Sequence, residues 1–326
     1  MARKKKKQVS RYFVRALFLL LIAILFSQLA SVSWFFDLFS HFVVQYAFLA
    51  VIISALLFLS RRFVWGFVAF VVAISQLSIM IPLWQGREMS TAEVYEEVKI
   101  LQFNVNKDNK KVNDMARWII SQSENVDIMV LMEITDRWQD ALQRIKWAYP
   151  YHISKDVRGG RKMVILSKLL IDELEVKYLS QDEVPVVVMR GATVGYEVPF
   201  VLYGVHPPPP VLPQYAKMRN NIVESAAEDI AKERFSHKML VGDFNSTRFS
   251  PVFSKAADTA GLYDSNEGLG IISTWPNPLP RVLGIAIDNI MISDNILVSG
   301  KRRGPSLGSD HYPIISTLQF KVNDKS

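Results

Sequence analysis

The stretch Leu240-Val241-Gly242-Asp243-Phe244-Asn245 decides how the rest of this chain is interpreted. Its apolar residues predict the end of a buried strand, and Gly242 predicts a turn of the backbone directly afterwards. Asp243 and Asn245 are two positions apart, so in extended structure their side chains lie on one side of the chain. A carboxylate and an amide placed in this way are suited to bind a metal ion, a water or a phosphoryl oxygen. The pattern alone is also typical of an ordinary Asx turn.

Further strand-like runs along the chain also end in polar residues. With the stretch around Asp243, six runs in all place polar groups where their apolar residues stop. A chance scatter of polar residues would not repeat this placement six times, so the pattern indicates one functional site at the end of a sheet assembly. The other polar residues are, in chain order, Asn104, Glu133, His206, Asp288 and the pair Asp310-His311.

The order of these residues resembles the motifs of the endonuclease/exonuclease/phosphatase superfamily, whose members share the DNase-I-like fold. Asn, Glu, His, Gly-Asp-x-Asn, Asp and Ser-Asp-His follow one another here as they do in that family, over residues 99–320. Short strands mixed with outer helices favour the α/β or α+β class but do not decide the topology. The resemblance implies a four-layer α/β sandwich, in which two mixed β-sheets lie face to face and helices flank them.

The sequence predicts alternating strands and helices after residue 98. Four consecutive prolines at 207–210 predict a stiff extended loop, because proline has no backbone N–H to donate. Trp138 and Trp147 are predicted to pack in the core. Strands are predicted at 98–105, 127–132, 163–167, 184–194, 198–205, 238–242, 285–292 and 313–320, and helices at 110–124, 135–148, 214–234 and 251–260.

The first part of the chain has a different composition. Residues 16–36, 38–60 and 63–86 contain no Lys, Arg, Asp or Glu. Each run is long enough to cross a hydrocarbon core of about 30 Å as a helix. Buried core helices are disfavoured because the runs are apolar on every face, and a cleaved signal peptide is disfavoured because two more runs follow the first. We therefore expect three transmembrane helices within residues 16–86, which would bind the lipid bilayer.

The charges between these runs predict an orientation. Residues 1–15 carry seven basic groups, the first turn has no Lys or Arg, and the second turn has Arg61 and Arg62. Because basic residues favour the cytoplasmic side, we expect a cytoplasmic tail at 1–15. A linker at 87–98 then leads to an extracytoplasmic catalytic domain at 99–326.

Two further features favour a bacterial inner-membrane protein with a periplasmic domain. The membrane runs, together with His-Pro-Pro-Pro-Pro at 206–210 and Thr-Trp-Pro at 274–276, resemble the bacterial membrane-anchored branch of the superfamily. Asn245-Ser246-Thr247 is the only N-glycosylation sequon in the chain. Glycosylation of a catalytic Asn in a eukaryotic lumen would be self-defeating.

Net charge argues against a broadly basic nucleic-acid-binding surface. The chain has a net charge of +7, but residues 1–84 hold nine Lys or Arg and one acid, whereas the remainder holds 29 basic and 30 acidic residues, a net of −1. Non-specific DNA-binding domains are usually strongly basic. The chain has no cysteine, which excludes disulfides and thiolate metal sites.

The resemblance also implies roles for the polar residues. The family places a divalent ion, Mg²⁺ or Mn²⁺, at positions matching Asn104, Glu133 and Asp310, and hard cations do prefer oxygen ligands. It further implies that Asp288 orients His311, that Asp243 activates water, that Asn245 contacts a phosphate oxygen, and that His206 is catalytic. Whether Asp243 or His311 is the base stays open.

Some positions depart from the family or lie outside its motifs. Asn106 stands where some members have Asp, and Asn289 stands where related membrane members often have His. Lys301-Arg302-Arg303 precedes Gly304 and Pro305, so we expect these cations on a projecting turn, with Arg302 and Arg303 binding the substrate phosphate. The alternative is an ordinary solvated charge run.

The sequence as a whole predicts a membrane-anchored, divalent-metal-dependent phosphoesterase that hydrolyses phosphodiester or phosphomonoester bonds. Nuclease activity and hydrolysis of a phospholipid or small phosphoester both stay open. The alternative from another functional class is a catalytically inactive, membrane-anchored binding module on the same fold. The sequence identifies no protein partner.

Overall fold

A computed structural model describes residues 2–181 and 184–322 of the chain. The first four helices are α1 (Ala2–Gln28), α2 (Trp34–Ser40), α3 (Val43–Leu59) and α4 (Phe63–Ile79). Together they form what we call the apolar bundle. Helices α1, α3 and α4 pack against one another through a shared cluster of buried apolar side chains.

The three predicted membrane-spanning helices are not confirmed. Within the described residues, only Ser10–Gln28 is long and apolar enough by itself to cross a bilayer. The run at 38–60 is divided between α2 and α3, which are bent by 60° and would count as a second span only if taken together. The third run yields α4, which has 17 residues and ends before a short 3₁₀ turn, Ile81–Leu83. Pro82 lies in this turn and cannot donate a helical hydrogen bond.

The rest of the described chain has twelve strands and four α-helices. The helices are α5 (Val112–Gln122), α6 (Gln139–Lys146), α7 (Pro213–Ala231) and α8 (Pro251–Ala260). The strands are β1 (Tyr95–Asn104), β2 (Ile128–Ile134), β3 (Tyr151–Arg158), β4 (Arg161–Ser167), β5 (Leu170–Lys177), β6 (Val186–Ala192), β7 (Pro199–Val205), β8 (His237–Asp243), β9 (Tyr263–Asp264), β10 (Asp288–Ile292), β11 (Ile296–Arg303) and β12 (Ile314–Lys321).

The strands form two six-stranded mixed sheets, as the resemblance implied. The first has the order β11-β12-β1-β2-β4-β3 and the second β5-β6-β7-β8-β10-β9. Each sheet contains one parallel pair, β1 with β2 and β7 with β8. Helices α5 and α6 cover the outer face of the first sheet, and α7 and α8 that of the second. The chain is therefore an α/β sandwich of two mixed sheets flanked by helices.

Several elements differ from those expected. Strands β3, β5, β9 and β11 were not predicted. Strand β1 already begins at Tyr95, inside the segment expected to be a linker, and only the second half of the run 285–292 becomes β10. Strand β5 is half-buried or exposed along its length, so it lacks the apolar run on which the prediction of strands depended.

The parallel pairs explain why the polar residues meet. Strands β1 and β2 finish at the same end of the sandwich as β7 and β8, and the Asn104 side-chain amide donates a hydrogen bond across the two sheets to Asp243 (3.0 Å). Strand β10 begins at this end, with Asp288 opposite Asp243 in the antiparallel register. Strand β12 begins there as well, with Ile314 opposite Gln102. We call this end of the sandwich the site end.

Candidate functional site

Asp243 is brought to the site end by a close contact between β7 and β8. Gly242 has a φ of +153°, and a Cβ atom there would lie 1.9 Å from the carbonyl oxygen of Val205. Only glycine allows the two strands to approach in this way. The carboxylate of Asp243 is consequently buried, with 1 % of the residue exposed.

Asn245 does not continue the strand, contrary to the extended geometry expected for it. Its backbone is left-handed, with a φ of +47°, and its N–H donates to Asp243 Oδ1 (2.9 Å) as in an Asx turn. Its side-chain Nδ2 donates to the carbonyl oxygen of Pro207 (3.0 Å). The stretch is therefore both an Asx turn and part of the polar cluster. Through this hydrogen bond Asn245 holds the loop of prolines 207–210, which we call the proline loop, against the end of β8.

His311 and Asp288 form a buried pair. His311 Nδ1 lies 2.8 Å from Asp288 Oδ2, and the other ring nitrogen, Nε2, faces Asp243 Oδ2 at 3.7 Å. Burial alone would lower the pKa of His311, but the charges of Asp288 and Asp243 outweigh it and raise that pKa to about 10. His311 is therefore a cation that Asp288 orients, and its free N–H points towards Asp243.

Asp243 also faces the second histidine of the cluster. Its Oδ2 lies 3.8 Å from His206 Nε2. Burial, followed by the charge of Asp288, raises the pKa of Asp243 to about 7, and burial lowers the pKa of His206 to about 4. A neutral imidazole, an imidazolium and a carboxyl group that titrates near neutral pH are thus collected around one point.

Three side chains of this cluster are close enough together to hold a divalent cation, which His311 could bind only after losing a proton. Asp243, Asp288 and His311 each offer one ligand atom, and these atoms lie within 4.8 Å of one another. Asp288 Oδ1 is buried and has no hydrogen-bond partner among the described residues. A buried carboxylate oxygen without a partner is costly unless a cation or a water satisfies it.

The residues expected to bind metal also lie at the site end, and each of them contacts a neighbouring polar group. Glu133 Oε1 lies 3.8 Å from His206 Nε2, and Glu133 Oε2 accepts a hydrogen bond from the backbone N–H of Lys107 (2.9 Å). Asp310 Oδ1 accepts from Asn106 Nδ2 (2.6 Å). Asn104 joins this group to Asp243. Asn104, Glu133 and Asp310 therefore surround the same cluster, and their role as metal ligands stays a prediction.

Backbone strain is concentrated at this end. Asn106, Glu133 and Asn245 have φ values of +58°, +61° and +47°. A register shift of β2 against β4 between Leu131 and Ile134 accompanies the strained Glu133. Non-glycine residues in this conformation are costly and persist where the surrounding structure enforces them, which is typical of functional sites.

The basic run before the Ser-Asp-His motif is not a projecting turn, so that prediction is wrong. Lys301, Arg302 and Arg303 are the last residues of β11, and their backbone stays paired with β12 up to Arg303 opposite Ile314. Arg302 donates to Gln122 of α5 (3.0 Å), whereas the Arg303 guanidinium lies 3.8 Å from the ring centroid of Tyr312. Alternation along the strand thus places the two arginines on opposite faces.

One buried ion pair near the site was not predicted. Arg219 of α7 is 1 % exposed and pairs with Asp37 of α2 at 2.6 Å. Its Nη1 donates to the backbone carbonyl of Asn245 (3.2 Å), and Ser250 donates to Asp37 Oδ1 (2.7 Å). The sequence did contain one indication of this ion pair, because Asp37 is the only acid in residues 1–84. The apolar bundle is thereby fastened to the turn that carries Asn245.

Comparison with known proteins identifies the same fold. The family model described as "Endonuclease/Exonuclease/phosphatase family" matches residues 101–311. No curated protein sequence matches the chain. Among solved structures, humanized D. rerio TDP2 matches with a TM-score of 0.55 and 18 % identity, covering 68 % of this chain and 98 % of that one.

Two other solved structures show the same relationship. The endonuclease/exonuclease/phosphatase from Bacteroides vulgatus matches with a TM-score of 0.56 and 16 % identity, covering 69 % of this chain and 99 % of that one. The human Nocturnin catalytic domain matches with a TM-score of 0.55 and 13 % identity, covering 70 % of this chain and 96 % of that one. At these identities the likeness concerns the fold alone.

Proposed function

The chain belongs to the endonuclease/exonuclease/phosphatase family, and from that premise we propose that it is a divalent-metal-dependent phosphoesterase attached to a membrane by its apolar bundle. The observation that carries the proposal is the buried Asp288–His311 pair, whose free ring nitrogen faces Asp243 at 3.7 Å. Two carboxylates and a histidine are not needed for the packing of a protein core. Such a cluster is typical of a site that transfers protons and neutralises an anion.

We assign the metal to Asn104, Glu133 and Asp310, whose oxygens are of the kind that Mg²⁺ and Mn²⁺ bind. A bound divalent ion would supply positive charge against the charge that develops on the phosphoryl oxygens.

The protein's own groups would carry out the proton transfers. Asp243 accepts a proton from the attacking water, whose oxygen bonds to phosphorus as the bond to the leaving oxygen breaks, and the leaving oxygen takes up a proton. His311, held by Asp288, donates its Nε2–H to a phosphoryl oxygen. His206, a neutral imidazole 3.8 Å from Asp243, orients the water. The Asn245 amide has a second N–H, which we assign to another phosphate oxygen.

Arg303 is retained as a substrate-binding residue because it stacks on Tyr312, the neighbour of His311. Arg302 contacts α5 and is not assigned to the substrate. The structure of D. rerio TDP2 complexed with a single-strand DNA product has a TM-score of 0.54 and 17 % identity to this chain. That neighbour supports a phosphodiester as the substrate.

The proposal of a membrane anchor is supported by the outer surface of the apolar bundle. Leu19, Leu59 and Val64 are 68–75 % exposed, and water is a poor solvent for such a surface. Helix α4 is roughly 25 Å long at about 1.5 Å per residue, close to the thickness of a hydrocarbon core. We propose that α1, α3 and α4 all cross the bilayer, with the catalytic domain on the side away from the basic residues.

Hydrolysis of chromogenic esters by the full-length chain in detergent tests this function. We expect cleavage of bis-p-nitrophenyl phosphate or p-nitrophenyl phosphate that EDTA abolishes and Mg²⁺ or Mn²⁺ restores. The variant His311→Ala should be inactive under all conditions, which controls for contaminating enzymes. A chain that binds Mn²⁺ without cleaving either ester would instead be the inactive binding module.

A further inference from the structure

The loop formed by residues 275–284, which we call the rim loop, begins at the site. The indole Nε1 of Trp275 donates to Asp310 Oδ2 (3.2 Å). The backbone N–H of Asn277 donates to the Asp310 carbonyl (2.7 Å), and Asn277 Nδ2 donates to the carbonyl oxygen of Ser309 (2.8 Å). The first residues of the rim loop are thereby fixed beside Asp310 and His311.

The last residues of the rim loop are fixed to the apolar bundle. Gln45, in the first turn of α3, donates from Nε2 to the carbonyl oxygens of Val282 (3.1 Å) and Gly284 (2.8 Å). The backbone returns to the site only four residues later, at Asp288. The rim loop therefore connects the polar cluster to the end of the bundle that meets the catalytic domain.

The middle of the rim loop is exposed and, apart from Arg281, apolar. Residues 278–283 are all exposed, and Leu279, Val282 and Leu283 are 38 %, 37 % and 49 % exposed. At the same end of the bundle, Phe42 and Trp84 are also exposed, by 39 % and 54 %. Aromatic side chains are typical of the boundary between a membrane and water. An apolar surface thus continues from the bundle to the edge of the site.

The charge of the catalytic region does not favour a long polyanion. Residues 85–326 have a net charge of −1, whereas nucleic-acid-binding surfaces are usually basic. Of the cations near the motif, Lys301 donates to Ser265 and Asn266, whereas Arg303, stacked on Tyr312, and the exposed Arg281 are too few to form a basic surface. A substrate presented by the membrane needs no such basic surface, because the bilayer itself holds it next to the site.

We infer that the rim loop rests on the bilayer and that the site acts on a phosphate ester carried by a membrane lipid. This inference rests on the proposed phosphoesterase function and on the apolar bundle as its anchor. In the reaction, water bonds to the headgroup phosphorus, the phosphorus–oxygen bond to the leaving group breaks, and the leaving group takes up a proton. The lipid anchor stays in the membrane while its headgroup enters between the rim loop and the proline loop.

The test uses two diesters that release the same chromophore. The full-length chain is reconstituted in phosphatidylcholine vesicles that contain phosphatidyl-p-nitrophenol, and a second sample receives soluble bis-p-nitrophenyl phosphate. In each case hydrolysis releases p-nitrophenol. The measured quantity is the ratio of the vesicle rate to the soluble rate, so a variant that fails to fold is recognised by its loss of both activities.

We expect Leu279→Ser combined with Leu283→Ser to lower this ratio at least tenfold. The matched control is Trp147→Ser. Contrary to the prediction that it packs in the core, Trp147 is 92 % exposed, and it follows α6 at the opposite end of the sandwich. It should leave the ratio unchanged. A ratio that does not respond to the rim-loop substitutions would overturn the inference, as would cleavage of single-stranded DNA in preference to the vesicle ester.

The failure of this inference can be told apart from the failure of the proposed function. If the parent chain cleaves the soluble diester but not the vesicle ester, the phosphoesterase function stands and the lipid substrate is wrong. If it cleaves neither ester in the presence of Mg²⁺ or Mn²⁺, the proposed function is wrong and the inference is wrong with it.

Discussion

Asp243 shows how much of the site depends on residues far apart in the chain. Its carboxylate accepts hydrogen bonds from Asn104 of the first sheet and from the backbone of Asn245, and it faces His206 and His311. Four separate segments therefore define the surroundings of one side chain. Small displacements of any of them should alter the proton transfer that we propose for Asp243.

The first prediction concerns the Asp288–His311 pair. His311→Ala should lower the turnover of bis-p-nitrophenyl phosphate by about 1,000-fold or more, and Asp288→Asn by about 100-fold, because the imidazole loses its orientation and the charge that stabilises its protonated form. Since the two residues act as one unit, the double variant should be no slower than His311→Ala. Additive effects on the activation barrier would show that they act independently.

The identity of the polar residues could be predicted at this scale, but their exact geometry could not. The motif order pointed to Asn104, Glu133 and Asp243, which stand at the ends of apolar runs, and to Asp288, which interrupts one. The left-handed backbone of Asn245 could not be predicted, since the proline loop that it holds joins the site through tertiary contacts. The position of Arg302 was predicted wrongly for a similar reason, because its strand, β11, is formed by pairing with β12, which follows it in the chain.

At the scale of elements, an ion pair between α2 and α7 joins the apolar bundle to the site. Asp37 and Arg219 are both buried, and Arg219 also holds the carbonyl of Asn245. A buried ion pair that loses one partner leaves an uncompensated charge. Helix α2 therefore contributes to the shape of the site although it belongs to the bundle.

The second prediction is that Asp37→Asn destabilises the folded chain by about 3–5 kcal/mol, the usual cost of breaking such a pair. Thermal unfolding of the full-length chain in detergent measures the effect. The matched control is Asp294→Asn, which removes the exposed partner of Arg87 and should cost no more than about 1 kcal/mol. Equal shifts for the two variants would mean that the Asp37 pair contributes little.

The third prediction concerns His237, at the start of β8. Its Nε2 donates to the carbonyl oxygen of Lys321 (2.9 Å), and its ring stacks on Phe320. Burial lowers its pKa from about 6.5 to about 4. Between these values the unfolded chain binds more protons, so this contribution is complete above pH 6.5 and is lost as the pH falls towards 4.

The difference in pKa corresponds to about 3 kcal/mol of unfolding free energy. Denaturant unfolding at several pH values, for the parent and for His237→Gln, measures it. The variant should show a flatter dependence between pH 6.5 and 4. Parallel curves for the two proteins would contradict the assignment.

At the scale of the whole molecule, the sandwich could be predicted but the apolar bundle could not. Buried strands such as β2 and β8 are marked by local apolar runs, whereas β3 and β5 depend on pairing with neighbours. The three uncharged runs predicted three long helices from composition alone. The helix is instead interrupted between α2 and α3, because Asp37 and His41 contact the catalytic domain there.

The fourth prediction distinguishes the number of membrane crossings. If α1, α3 and α4 all cross, a reporter fused after Ser326 should be extracytoplasmic and one inserted after Arg61 cytoplasmic. One crossing would place both reporters outside, and two crossings would place the C-terminal reporter in the cytoplasm. Either of these results would contradict the proposed anchor.

The central claim is that this end of the sandwich is a metal-dependent phosphoester site. The measurement that tests it most directly is the rate of bis-p-nitrophenyl phosphate hydrolysis against Mg²⁺ concentration, for the parent chain and for Glu133→Gln. We predict that the parent requires the metal, and that the variant stays at least about 100-fold slower at saturating Mg²⁺ because an amide replaces an anionic ligand. A variant as fast as the parent, or a parent rate unaffected by EDTA, would contradict the claim.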